Sequence, residues 1–329
     1  MAMEIDLETA GLTELIRLQN LLSEAVQRRF ERSLALVFTD VVGSTEYFAR
    51  FGDQQGRRLQ QQHLDLLNAV LPTSKGRIVD TAGDGAFTCF PTAVSATEAM
   101  VNLQRSITAE NFNRARDHQL VLRIGVHFGS VLTDGAVVSG DAVNLCARVT
   151  STCAPGEVRL TRAAFSELPG PVRARCIPIM PALRLKGLLE PVDVFSLQWR
   201  PPGIYPTFVR ISETSEELPL PERDSIGFGR LAEKDGVVAN DIVLWHPDKS
   251  LTQQVSRWHF ELRRQPTGFV LHQISDGITE VDGQPVPQGA KVPVRAGSIV
   301  RVARVLTLQF FSTEKAMTDQ TVGPGPQMP

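Results

Sequence analysis

Apolar and polar positions follow two different periods along this chain, and the change between them divides it. Leu12, Ile16, Leu18, Leu21, Leu22, Ala25, Val26 and Phe30 recur at mostly helical spacing among Arg, Gln and Glu. This predicts an amphipathic helix of ~5 turns over residues 10–32. Such a helix can pack on its own domain or pair with a second copy, and the pattern serves both. The run Leu34-Ala-Leu-Val-Phe-Thr-Asp-Val-Val-Gly-Ser-Thr45 begins as a buried β-strand and ends on Asp40. Gly43, Ser44 and Thr45 follow, then Tyr47, Phe48 and Phe51 open a helical pattern that continues over 54–71 until Pro72 and Gly76 break it.

Residues 77–90 read as a hairpin, two apolar runs around the tight-turn signal Gly83-Asp84-Gly85. A helix is predicted over 93–107, a buried strand over 120–129, a helix after Gly140 and a strand over 158–160. Residues 183–195, carrying Lys186, read as a closing hairpin. The alternation predicts an α/β (α+β) domain, a sheet flanked by helices, over 33–199.

Residues 200–206 are a linker by composition. Beyond them helical periodicity stops. Short apolar runs at 207–211, 225–228, 241–244, 259–263, 269–273, 298–302 and 305–311 are separated by turn residues, which predicts an all-β sandwich over 207–312. The polar, Gly- and Pro-bearing residues 313–329 read as a disordered tail.

Composition narrows the function classes. The apolar share is 42% and the charged share 21%, as in a soluble globular protein. A net charge of −2 provides no global basic field, so neither nucleic acid nor an anionic membrane is expected as a partner. The acidic start of the chain does not read as a signal peptide, and no apolar run is long enough to span a bilayer, so a cytoplasmic location is expected. Cys89, Cys146, Cys153 and Cys176 show no CxxC pairing and read as reduced thiols.

The candidate chemistry sits at strand ends. Asp40 closes a buried strand ahead of a helix N-terminus, whose free N–H groups and positive dipole end suit an anion. An acid there can hold a hard cation such as Mg²⁺, or can be an ordinary N-cap. Asp84 is a second strand-end carboxylate, explicable by its turn alone. Asn144 and Arg148, four apart, share a helical face. His127, with no second His at ligand spacing, reads as a core histidine.

In order, Phe-Thr-Asp40-Val-Val-Gly-Ser-Thr, Gly83-Asp84-Gly85, Val143-Asn144-Leu-Cys-Ala-Arg148 and Leu185-Lys186-Gly187 resemble the motifs of the class III adenylyl/guanylyl cyclase catalytic domain. The resemblance implies a head-to-tail homodimer with shared sites, converting a nucleoside triphosphate to a 3′,5′-cyclic nucleotide and pyrophosphate. It gives Asp40 and Asp84 two Mg²⁺ or Mn²⁺ ions per site, Asn144 the ribose and Arg148 the growing charge on the α-phosphate. It gives the triphosphate to Lys186 and to the backbone of Val42, Gly43, Ser44 and Thr45. The departure lies at the base-reading positions. Adenylyl members carry Lys four residues before the second metal Asp, where this chain has Asp80. They carry Asp or Thr seven residues before the Asn, where it has Val137.

Gly229-Arg230, Asn240-Asp241-Ile242, Ser256-Arg-Trp-His259 and Val281-Asp-Gly283 resemble the forkhead-associated domain, a phosphothreonine-binding sandwich. The resemblance implies that Arg230 and Ser256 bind the phosphate of a phosphothreonine-containing protein, with Gly229 and His259 structural. The family's Asn-Gly-Thr is replaced here by Ser275-Asp-Gly-Ile-Thr279. Two readings result: a cyclase in intracellular signal transduction with a phosphothreonine-recognition module, or a catalytically inactive cyclase-like dimer serving a phosphopeptide-binding scaffold.

Overall fold

The computed structural model describes residues 11–234 and 236–312, the side chain of Ala82 excepted; the expected tail lies outside the described residues. The chain divides into two compact units, Met1–Leu103 with Val121–Trp199, and Gln104–Leu120 with Arg200–Pro329.

The first unit is a sheet with helices on it. Its elements are α1 (Leu12–Phe30), β1 (Glu31–Val41), α2 (Ser44–Val70), β2 (Arg77–Ala82), β3 (Gly85–Phe90), the part to Leu103 of α3 (Ala93–Asn111), β4 (Leu122–Thr133), β5 (Val138–Ser139), α4 (Asp141–Ser151), β6 (Val158–Thr161), the short α5 (Arg162–Ser166) and α6 (Gly170–Arg173), β7 (Cys176–Pro178) and β8 (Val194–Leu197). The strands run β2-β3-β1-β4-β6-β8-β7, with β5 on β4. The organising strand β1 pairs antiparallel with both β3 and β4, and only β4 and β6 are parallel. Ala35, Leu36 and Val37 are fully buried, which is why this stretch reads as unbroken apolar sequence.

Three details differ from the pattern reading. Residues 183–195 form no hairpin: a single bridge joins Leu183 to Val192, and β8 pairs with β6 and β7. The helix after Thr45 is broken at Gly52, whose φ of 80° is non-helical. Nothing in α1 is buried, and Leu12, Ile16, Leu21 and Leu22 are exposed, so its apolar face is not covered by its own unit.

The second unit is a sandwich. Its strands are β9 (Phe208–Ile211), β10 (Glu216–Pro219), β11 (Ser225–Gly229), β12 (Glu233–Lys234), β13 (Val237–Val238), β14 (Ile242–Val243), β15 (Phe260–Gln265), β16 (Gly268–Gln273), β17 (Thr279–Val281), β18 (Gln284–Pro285), β19 (Lys291–Val294), β20 (Ile299–Val302) and β21 (Leu306–Phe311). One sheet runs β10-β9-β21-β20-β17-β18, the other β14-β11-β15-β16-β19. Phe228 stacks on Phe260 at 4.6 Å and meets Phe310 edge-on in the core. The all-β expectation missed one helical turn, α7 (Lys249–Thr252). The linker expectation also needs correction: Tyr205 is 9% exposed, its hydroxyl donates to the Gln265 carbonyl, and the Arg264 guanidinium lies 4.6 Å from its ring centroid.

Candidate active site

In the first unit, Asp40 near the end of β1 and Asp84 in the β2–β3 turn line one cavity of about 650 Å³. Asp80 and Val137 line it too, with Arg123 and Val143. Asp40 is not an N-cap; Gly43 occupies that position, in the left-handed region at φ 67°. The Asp40 carboxyl is shifted above its ordinary range, first by burial, then by the Asp84 charge, with the Arg123 guanidinium acting the other way. Arg123 Nη1 donates to Asp40 Oδ2 at 3.2 Å, while its Nε is buried without a protein partner. Arg123 was missed in the sequence, where its signal was a lone cation inside an apolar strand run.

The donor set fits a hard cation completed by its ligand. Among the described residues no group of three or more His, Cys, Asp or Glu side chains is placed to hold a metal. Two carboxylates facing one cavity leave most positions open, the arrangement in which Mg²⁺ is shared with substrate phosphates.

Asn144, Arg148 and Lys186 do not line that cavity. Asn144 is exposed on α4, and the nitrogens of Arg148 lie against Gly187, 3.3 Å from where a Cβ would stand there. Arg148 and the Lys186–Gly187 turn are thus together, while Val143, Ala147, Thr150 and Ser151 of the same helix line the cavity. Of the expected backbone cradle, Val42 is a correction: its N–H already donates to the Val121 carbonyl at 2.9 Å. Gly43, Ser44 and Thr45 stand at the start of α2, where first-turn N–H groups have no intrahelical acceptor. Val137 is 63% exposed and its backbone is held locally, by Asp134 Oδ1 and the Thr133 hydroxyl. Asp80 Oδ1 accepts from the Thr81 N–H at 2.8 Å. His127 is the expected core histidine, its Nδ1 2.9 Å from the Thr161 hydroxyl, and burial lowers its pKa to about 4.

The second unit gathers its candidates on one side. Arg230 donates its backbone N–H to the Ser256 carbonyl at 3.0 Å, and Arg230 Nε is buried without a protein partner. The Ser256 N–H donates to His259 Nδ1 at 3.1 Å, so the neutral ring carries its proton on Nε2 and donates to Thr279 Oγ1 at 3.0 Å. His259 therefore links the Ser256 backbone to Thr279. Gly229 admits no side chain, since a Cβ would lie 2.2 Å from the Arg257 carbonyl oxygen. At Gly277 a Cβ would lie 2.8 Å from Ser256 Oγ. This is where the family's Asn-Gly-Thr is altered, and the backbone comes close to the hydroxyl instead.

Comparison with known proteins agrees with both units. Residues 26–176 match the family model described as adenylate and guanylate cyclase catalytic domain, and residues 226–303 match the FHA domain. The chain carries a cyclase-type catalytic domain followed by an FHA domain. An adenylate cyclase of Streptomyces coelicolor is 31% identical over 138 residues, 42% of this chain and 34% of that protein. A Rhizobium meliloti relative, 30% identical, is matched over 42% of this chain and 23% of its own length. The chain thus spans about a third or less of these relatives. Among solved structures, an adenylate/guanylate cyclase/hydrolase from Silicibacter pomeroyi matches at TM-score 0.47 and 22% identity, covering 51% of this chain and 96% of that one. Among the described residues no helix is long and apolar enough to cross a membrane.

Proposed function

We propose that the chain is a nucleotidyl cyclase whose sites form between two copies, with a phosphothreonine receptor in the second unit. The observation that supports the reading is a split among the five motif residues: Asp40 and Asp84 line the cavity, whereas Asn144, Arg148 and Lys186 are not among its lining residues, although Val143, Ala147, Thr150 and Ser151 of α4 are. A site needing all five takes the carboxylates from one chain and the α4 residues from its partner. The exposed face of α1 is a further surface for a second copy.

A bound pair of Mg²⁺ or Mn²⁺ ions supplies Lewis-acid polarisation of the ribose 3′-oxygen and neutralises phosphate charge. Asp40 and Asp84 hold that charge in place. Arg123, now paired with Asp40, is a cation at the cavity wall that can turn to a phosphate oxygen. The N–H groups at the start of α2 cradle the triphosphate, with Lys186 of the other chain on its tail. Asn144 orients the ribose. Arg148 meets charge that develops only as the 3′-oxygen displaces pyrophosphate, so its contribution falls on turnover more than on substrate binding.

For the base, Asp80 is an acceptor when ionised. Adenine N1 is itself an acceptor, whereas guanine N1 and N2 are donors. The pocket therefore favours guanine or is permissive. In the second unit, Arg230 with the Ser256 hydroxyl forms a receptor for a phosphate dianion. Full-length protein with Mn²⁺ and each of ATP, GTP, CTP and UTP tests the activity and the base; no cyclic product from any of them would favour the inactive scaffold.

A further inference from the structure

Buried in the first unit is a histidine that the reaction above does not use. His63 lies on α2, 1% exposed, on the same stripe as Leu59 and Leu67. It is not among the residues that line the cavity. Its ring nitrogens reach both chain segments that carry the carboxylates. Nε2 is 2.9 Å from Thr39 Oγ1, the residue before Asp40, and Nδ1 is 3.2 Å from the backbone oxygen of Asp84. One turn earlier on the same helix face, Gln60 Nε2 donates to the Gly83 carbonyl at 3.3 Å. Two successive carbonyls of the β2–β3 turn are thus held from α2.

The contacts select a protonation state. The Asp84 carbonyl can only accept, so Nδ1 must carry a proton and donate to it. A neutral ring then has a lone pair on Nε2, which accepts from the Thr39 hydroxyl. A turn between two strands is the part of a hairpin most able to move. Asp84 sits in such a turn, whereas Asp40 lies on the central strand β1. Fixing the Asp84 backbone against β1 through one rigid ring fixes the spacing of the two carboxylates.

We infer that His63, assisted by Gln60, is a positioning residue that sets Asp84 relative to Asp40 for divalent-cation binding. The inference rests on the metal-site reading above. Removing a group that orients a ligand typically costs 10–100-fold in metal affinity.

The test titrates Mn²⁺ into the full chain, alone and with inorganic triphosphate, reading free Mn²⁺ by electron paramagnetic resonance. Wild type, Asp84→Ala, His63→Leu, His63→Asn and Gln60→Ala are compared, with circular dichroism to confirm folding. The expected result is abolished binding in Asp84→Ala and a roughly 10-fold or greater weakening in His63→Leu. Asn places an N–H near the position of Nδ1, so His63→Asn should recover most of the affinity; a structural role alone would not show that rescue. Gln60→Ala, at the protein surface, should weaken binding about 2-fold, the effect of a partial loss of one hydrogen bond. In steady-state assays His63→Leu should raise the half-saturating Mn²⁺ concentration more than it lowers kcat. Wild-type affinity in folded His63→Leu, with Asp84→Ala inactive in binding, would overturn the positioning role and leave the metal site standing. Wild-type affinity in Asp84→Ala, or no binding by the wild type, would overturn both. If His63→Leu does not fold, wild-type affinity in both Gln60→Ala and a folded His63→Ala overturns the proposal.

Discussion

The two units carry two candidate phosphate sites built on opposite electrostatics. In the first, two carboxylates face a cavity and repel each other, so that the Asp40 carboxyl is pushed upward; such a site receives a phosphate only through cations. In the second, the Arg230 backbone N–H donates to the Ser256 carbonyl, and the candidate receptor carries positive charge of its own in the Arg230 guanidinium. On the proposed reading the first site draws on two chains, whereas the second lies within one. A distributed site requires a partner chain to function. A concentrated one works in a single copy, and its affinity depends on the few groups present.

The largest effect should come from the carboxylates. Asp40→Ala and Asp84→Ala are each expected to reduce cyclic-nucleotide formation to background, with circular dichroism unchanged, because each removes a ligand at a strand end and no core volume. Substantial turnover in either at saturating Mn²⁺ would contradict the metal assignment. Next, equal mixing of Asp40→Ala and Arg148→Ala chains should recover about a quarter of wild-type activity, since half of the symmetric dimers are mixed and each mixed dimer has one intact site of two. No recovery, with heterodimers demonstrated, would break the contrast between distributed and concentrated sites.

For the second unit, Arg230→Ala should weaken binding of a phosphothreonine peptide by ~10–100-fold, the value of one or two hydrogen bonds to a charged group. Isothermal titration against phosphorylated and unphosphorylated library peptides checks this; equal binding of both removes the receptor. A smaller change, ~10-fold in the ATP-to-GTP product ratio, is expected from Asp80→Lys, which exchanges an acceptor for a donor. A wild type making almost only cyclic AMP would show that Asp80 does not read the base.

A different effect is on stability. His127 has a folded-state pKa of about 4 against an ordinary 6.5. Between those values the unfolded chain binds a proton that the folded chain does not. Stability is therefore full above that window and falls as pH drops through it, at up to ~1.4 kcal/mol per pH unit. Thermal unfolding of the first unit's transition between pH 4.5 and 7 should show a slope of this sign, and His127→Asn should reduce it, while the buried His63, whose pKa is also lowered to about 4, keeps a slope of the same sign.

Much of the first unit was legible because its strands are buried on both faces and its turns carry Gly-Asp-Gly. The motif residues could be counted along the chain, but the surface each one faces could not. The bulge in β2 is an example. Pairing with β3 shifts register between Ile78 and Asp80, so Val79 and Asp80, adjacent in sequence, both line the cavity against the usual alternation. Arg123 and His63 were illegible as site residues for a related reason. An Arg in a strand and a His on an apolar stripe acquire roles only from what the fold places opposite them. In the second unit, β10, β17 and β19 escaped notice because their Glu, Thr, Lys and Pro residues break the apolar runs. The docking of Tyr205 escaped because Pro and Gly around it read as a linker.

The junction of α1 and β1 is abrupt: the helix ends at Phe30 and the strand begins at Glu31. There is no slack at that joint. A side chain on the helix turns by ~100° per residue, whereas the strand alternates sides at each step. One inserted residue would swing the exposed apolar face of α1 by about a quarter turn or more relative to the strand that ends at Asp40. The helix and the carboxylate are therefore geared to each other, and the angle at which α1 meets whatever covers it is also the angle presented at the root of the central strand.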